Sequence, residues 1–125
     1  MANNNWNVIG NTFKYYISPD IKNVEKLAFF DLDGTLITSA SGKNPKYKNC
    51  DPQDWIYLGD VIDTLKIYIE NKFTIVIVTN QSHLNQKNGD CIQDKLDSVL
   101  NDLKAKYISV IFLVSSGKDE YRKPK

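Results

Sequence analysis

One stretch constrains this chain more than any other. The apolar run Leu27-Ala28-Phe29-Phe30 ends in two carboxylates two residues apart, Asp31 and Asp33, and Gly34-Thr35-Leu36-Ile37 follows at once. An apolar run without alternation needs cover on both faces, so residues 27–30 predict a buried strand. An aspartate buried beside such a run would cost several kcal/mol unless a cation or hydrogen bonds compensate it. Gly34 lets the backbone turn close to a ligand. The plainer reading is a strand end followed by an acidic turn.

The rest of the chain alternates. Residues 73–79 and 107–114 are β-branched apolar runs and predict two further core strands. Between them lie helical patterns. Residues 61–70 place Val61, Ile62, Leu65 and Ile69 on one face, with Asp60 as N-cap and Asp63 in the first turn. Residues 91–103 carry the stripe Ile92, Leu96, Val99, Leu100 and Leu103. This order predicts an α/β fold with a central parallel sheet and right-handed crossovers. Upstream, residues 6–17 predict a hairpin or two short strands turning at Asn11. Residues 38–54 have no sustained period and hold Ser39, Ser41, Gly42, Pro45, Pro52 and lysines 43, 46 and 48. They predict a loop or flap beside the strand ends, its base closed by Trp55-Ile56-Tyr57-Leu58. We expect one domain over residues 1–125, with N-terminal strands at 6–25 and the flap and loop insertion at 38–58.

Composition narrows the class without choosing a function. The 125 residues are 42% hydrophobic and 25% charged, with a net charge of +1. That balance suits a small soluble domain with a real core and does not advertise nucleic-acid binding, although a local basic patch is compatible with it. The two cysteines, Cys50 and Cys91, fit no metal-ligand spacing, and a structural disulfide is not expected. There is no signal-peptide pattern and no apolar run of membrane-spanning length. We expect an intracellular protein, with nucleus and cytoplasm not distinguished and no membrane partner.

A wound parallel sheet binds its ligand at the carboxyl ends of its strands. Three such ends are legible: Asp31-Leu32-Asp33, Thr79-Asn80-Gln81, and the segment leading to Arg122-Lys123-Pro124. A carboxylate there can accept a phosphoryl group, with Mg2+ offsetting the repulsion between two anions. A second carboxylate two residues on can protonate the leaving oxygen. Thr79 could hold a phosphate oxygen through its hydroxyl and the next amides, or simply cap a loop. Lys123 could stabilise the transferring phosphoryl group and Arg122 add a fork of donors, or both could belong to a solvated basic tail; Lys118 is the weaker substitute. His83, the one histidine, reads as a surface residue, with contact to substrate or proton relay as the alternative. No histidine–cysteine cluster suggests zinc.

The string Phe30-Asp31-Leu32-Asp33-Gly34-Thr35 resembles the haloacid-dehalogenase-like (HAD-like) phosphatase signature. Longer strings are similar to the polynucleotide kinase 3'-phosphatase family within it. They are residues 26–42, Ser41-Gly42-Lys43, Asp54-Trp55, Val76-Ile77-Val78-Thr79-Asn80-Gln81 and Tyr121-Arg122-Lys123-Pro124, with Trp6 upstream. The resemblance implies a Rossmannoid three-layer fold around a parallel sheet. It implies Asp31 as nucleophile, Asp33 as acid/base, and Thr79 and Lys123 as phosphate-holding catalytic groups. Gly34, Thr35, Asn80, Gln81, Lys43 and Arg122 would bind substrate. Mg2+ would be held by Asp31, the Asp33 backbone carbonyl and the substrate phosphate.

The implied activity is removal of 3'-phosphates from DNA ends in strand-break repair, with RNA ends as a variant. Flap and terminal basic residues would contact backbone phosphates. Trp55 and Tyr57 could stack on a terminal base, although core packing is the expected role. No G-x-x-x-x-G-K-[S/T] loop accompanies it, so no kinase is expected in this stretch. Family members continue past the lysine motif to a fourth, acidic motif, which these 125 residues do not contain. The fold is therefore expected to be incomplete at its C-terminus, with residues 27–30 on an exposed edge that the N-terminal strands, a second copy or another subunit could cover. The alternatives are a HAD-like phosphatase for small metabolites, and a non-catalytic remnant that binds phosphorylated nucleic acid or a protein partner.

Overall fold

The computed structural model describes residues 4–10, 12–42, 51–81 and 89–115. Its strands are β1 (Asn7–Ile9), β2 (Phe13–Ile17), β3 (Lys26–Asp31), β4 (Ile37–Thr38), β5 (Ile56–Tyr57), β6 (Phe73–Asn80) and β7 (Val110–Ser115), and its helices are α1 (Val61–Glu70) and α2 (Gly89–Ala105). Five strands form one sheet in the order β1-β2-β7-β6-β3, and β4 pairs with β5 in a separate hairpin. The pairs β3–β6 and β6–β7 are parallel, whereas β2 runs antiparallel to β7 and β1 antiparallel to β2. This is the α/β arrangement with parallel central strands that the alternation predicts, in the Rossmannoid form that the resemblance implies.

Both described helices cover the same face. Leu65 of α1 and Ile92, Leu96, Val99, Leu100 and Leu103 of α2 join Ala28, Ile75, Ile77, Val110, Phe112 and Val114 in one buried cluster. Trp6 packs its edge on Phe112 with ring centroids 5.4 Å apart. No helix among the described residues is long and apolar enough to cross a membrane.

The structure corrects several expectations. Residues 27–30 are not buried on both faces: Ala28 is buried, but Leu27 and Phe29 are 44% and 62% exposed. Among the described residues β3 is an edge strand covered by helices on one side only, so its side chains alternate in environment although their chemistry does not. The N-terminal strands do not cover that edge. They extend the sheet beyond β7, at its opposite side. Asp60 stands at the N-cap of α1 but makes no side-chain capping bond, because its φ of −92° and ψ of 37° differ from the usual capping geometry. Cys91 is disulfide-bonded, a proximity that spacing along a sequence does not reveal; Cys50 lies outside the described residues, as does Asn11.

The last core strand starts later than its composition suggests. The amide of Ile108 donates to the Leu103 carbonyl at 2.9 Å and that of Tyr107 to the Lys104 carbonyl at 3.0 Å. This is the paired-bond helix ending that places a left-handed residue after the cap. Tyr107 fills that place with φ of 61° and is 94% exposed, while Ile108 behind it is buried. A glycine would take that backbone conformation without steric cost, and no packing is lost with the ring. Tyr107→Gly is therefore expected to stabilise the fold by about 1 kcal/mol, read as a higher urea midpoint at unchanged slope.

Candidate active site

The site begins where β3 stops. Leu32 is fully buried and pins the turn, and its carbonyl accepts amides from Leu36 at 3.0 Å and Ile37 at 3.1 Å. Gly34, at φ of 82°, donates its amide to the Ile37 carbonyl at 2.9 Å. The chain thus doubles back within a few residues, and Asp31 and Asp33 lie on the rim on either side of the Leu32 anchor. Asp31 is exposed, so it does not carry the cost that burial beside the apolar run would impose. One of its oxygens accepts the Leu32 amide at 3.0 Å. Thr35 is exposed on the same turn and, with Phe30, Leu36, Leu58, Val61 and Leu65, lines a cavity of about 290 Å³. Two other cavities, beside Ser109 and Phe73, lie at the amino ends of the parallel strands, away from the carboxylates.

β6 supplies the second edge. The β3–β6 register pairs Asp31 with Val78, so Thr79 stands one residue beyond the carboxylate's row. Thr79 is buried, and its hydroxyl accepts the side-chain amide of Gln81 at 2.7 Å. The same amide donates to Asp33 Oδ2 at 2.7 Å. The Gln81 backbone amide meets the Ser115 carbonyl at 2.7 Å. Gln81 is only 4% exposed, so its amide serves the site's own residues, where the sequence suggested a direct contact to substrate. Asn80 is half-buried and paired with Ser115.

Lys95, from α2, completes the described site and was not anticipated. Its Nζ lies 3.2 Å from Asp33 Oδ1. The sequence carries a signal for it: Lys95 falls between Ile92 and Val99, on the stripe of α2 that faces the sheet. The structure therefore joins Asp33, Thr79 and Gln81 by hydrogen bonds and places Asp31, Gly34 and Thr35 on the same turn. Lys43, His83, Lys118, Arg122 and Lys123 lie outside the described residues.

The flap base docks on α2. Trp55 Nε1 donates to Ser98 Oγ at 3.0 Å, and the Tyr57 hydroxyl donates to Asp102 Oδ2 at 2.5 Å. The two rings meet edge to face at 5.0 Å, in keeping with the packing role expected for them. Ser41 closes the other side of the loop, giving both its amide and its hydroxyl to Asp54 at 2.8 and 2.6 Å. The Ser41 hydroxyl, followed by its amide, holds the Asp54 carboxyl below the usual range. Burial, reinforced by Asp102, pushes the Tyr57 phenol far up. For Asp102, burial pushes upward, but Lys106 and Tyr57 together outweigh it and its carboxyl stays below the usual range.

No three His, Cys, Asp or Glu side chains come together among the described residues to hold a metal by themselves. The donors present suit a hard cation that keeps most of its water. They are the exposed Asp31 carboxylate and, two residues on, the Asp33 backbone carbonyl, while the Asp33 carboxylate is engaged by Gln81 and Lys95.

An α/β sheet with parallel central strands and two carboxylates, at the end of β3 and on the turn that follows, fits one class: a HAD-like phosphatase fold. A crystal structure from Mesorhizobium loti described as a HAD-like phosphatase is similar to it, with a TM-score of 0.58 at 20% identity over 89% of this chain and 56% of that one. The family model for polynucleotide kinase 3 phosphatase matches residues 26–125, and the chain belongs to that family. An uncharacterised 20.8 kDa protein of Autographa californica nuclear polyhedrosis virus is 40% identical over 100 residues, covering 79% of this chain and 52% of that protein. The bifunctional polynucleotide phosphatase/kinase of Schizosaccharomyces pombe is 30% identical over 107 residues, covering 83% of this chain and 25% of that protein. The chain thus spans about half the length of the viral relative and a quarter of the yeast one.

Two measurements check this geometry. Gln81→Leu leaves the buried Thr79 hydroxyl without its donor and is expected to cost about 1–3 kcal/mol, seen as a lower urea midpoint. The Asp102 carboxyl, held low in the fold, adds stability above its unfolded pKa that disappears as pH falls through the folded value. The Tyr57 phenol, held high, adds stability below its unfolded pKa that disappears as pH rises beyond it. Tyr57→Phe should flatten the alkaline limb of stability against pH, and Asp102→Asn should reduce the acid limb.

Proposed function

We propose that this chain is a Mg2+-dependent phosphohydrolase that removes 3'-phosphates from DNA ends through an aspartyl-phosphate on Asp31. The observation that carries the reading is the hydrogen-bonded set at the strand ends. Gln81 ties Asp33 to Thr79, and Asp31 stands exposed two residues before Asp33. Family membership supports polynucleotide ends as the substrate class.

In the first step an Asp31 carboxylate oxygen attacks phosphorus and the bond to the 3'-oxygen breaks. Asp33 gives its proton to that oxygen as it leaves. In the second step Asp33 takes a proton from water, which attacks phosphorus, and the Asp31 carboxylate is regenerated with release of phosphate. Thr79 offers its hydroxyl proton to a transferring oxygen, because the bond from Gln81 uses the hydroxyl only as acceptor. Lys123, matched to the family's third motif, would neutralise the same oxygens. Asp31 and the Asp33 carbonyl would hold Mg2+, which when bound offsets repulsion between the nucleophile and the phosphate. Lys43 and Arg122 would grip backbone phosphates next to the end.

The test is phosphate release from a 3'-phosphorylated DNA oligonucleotide, with the RNA equivalent, sugar phosphates and an aryl phosphate alongside. Release from the DNA end with Mg2+ and none with EDTA is expected. Preference for a sugar phosphate would move the assignment to small metabolites, and end binding without release would make the chain a non-catalytic binder. Asp31→Asn is expected to abolish release, and Asp33→Asn to slow it roughly 10²- to 10⁴-fold. Full turnover by folded Asp31→Asn protein would exclude the mechanism.

A further inference from the structure

Lys95 is not accounted for by the strand-end chemistry above. It is 5% exposed, and it sits at the edge of the apolar stripe of α2. A lysine in such a place is a poor stabiliser. Its ammonium must leave water, and an apolar residue of similar volume is commonly as good or better. Its charged end meets a carboxylate whose side chain is still 45% exposed, at 3.2 Å. Gln81 holds the other oxygen of that carboxylate at 2.7 Å. The two oxygens of Asp33 are thus gripped from two separate elements, β6 and α2.

Asp33 needs such a grip. It stands on a turn, and its own torsions leave its carboxylate free to swing towards solvent. Two donors on two oxygens fix both the direction and the plane of the group, as a proton relay to a departing oxygen requires. The helix that carries Lys95 is itself tied to the flap base one and two turns further on, at Ser98 and Asp102.

Resting on the proposed phosphatase reading, we propose that Lys95 is a positioning residue that clamps Asp33 Oδ1 and so aims the acid/base carboxylate, without itself holding substrate.

The test uses the full chain and the variants Lys95→Met and Lys95→Arg. Lys95→Met should unfold at an equal or higher urea concentration. Its kcat on the 3'-phosphorylated oligonucleotide should fall roughly ten- to a hundredfold, with KM within about twofold. Lys95→Arg should recover part of kcat. In the metal-free protein the Asp33 ¹³Cγ resonance should move in Lys95→Met and move back in Lys95→Arg. Unchanged kcat, a rise in KM at constant kcat, or an unmoved Asp33 resonance each overturns the proposal. If the wild-type chain releases no phosphate from any substrate, the phosphatase reading fails, and the Asp33 resonance alone decides whether Lys95 clamps it. If Lys95→Met does not fold, Asp33→Asn carries the test: it should shift the Lys95 ¹⁵Nζ signal, and an unmoved signal overturns the clamp.

Discussion

The side-chain amide of Gln81 bonds the turn after β3 to the end of β6, and the site takes its shape from that bridge. Parallel strands run out of ladder partners at their carboxyl ends, where their loops diverge. Here the ladder is prolonged by one step, because the Gln81 backbone amide reaches the Ser115 carbonyl of β7. That step fixes the Gln81 backbone and turns its side chain under the neighbouring turn. Its two amide donors then have two acceptors ready, the Thr79 hydroxyl and an Asp33 oxygen. From the other side the turn is held by the fully buried Leu32. Asp31 and Asp33 thus flank a buried leucine, and a buried amide holds the second of them.

α2 extends this order outward. One of its stripes carries Lys95, Ser98 and Asp102, which meet Asp33, Trp55 and Tyr57. Another carries Gln93, Asp97 and Asn101, which meet Lys14, Trp6 and Asn4. Residues three, four or seven apart share a helix face, so a single rigid rod presents one row to the turn after β3 and the flap base and another to the N-terminal segment. The apolar stripe between the two rows buries against the sheet. Asn4 and Trp6, which lead into β1, and Tyr57 of β5 are held by side-chain hydrogen bonds to this one helix.

Much of this was legible because periodicity reports burial. The helix over 61–70 and the strands over 26–31 and 73–79 match the elements within a residue, since each has one face in a single shared core. The failures have definite causes. β3 looks doubly buried because its exposed positions, Leu27 and Phe29, are as apolar as its buried ones. Tyr107 looks like a strand residue but fills the left-handed position at a helix end, where tyrosine is unusual. At the strand ends, residue order alone placed the two aspartates and the threonine close together, because they follow directly on predicted parallel strands. Residue order did not disclose what Gln81 does, since an amide bonds a ligand or a neighbour equally well. Lys95 was hidden for a different reason: a lysine at the edge of an apolar stripe usually carries its charge out to water, and only the fold shows a carboxylate waiting within reach.

The exposed apolar residues of β3 and the exposure of Asp31 follow from one geometrical fact. Side chains on a strand alternate, so Ala28 and Phe30 face the helices while Leu27, Phe29 and Asp31 face away from them. Leu32, the first residue past the strand, then drops into the core. Shifting the register by one would bury Leu27 and Phe29 against α1, but it would also carry Asp31 into the apolar layer and lift Leu32 out of it. An ionised aspartate there would have to shed its charge or find a partner. The apolar surface on β3 and the exposure of the carboxylate at its end are therefore set by the same alternation.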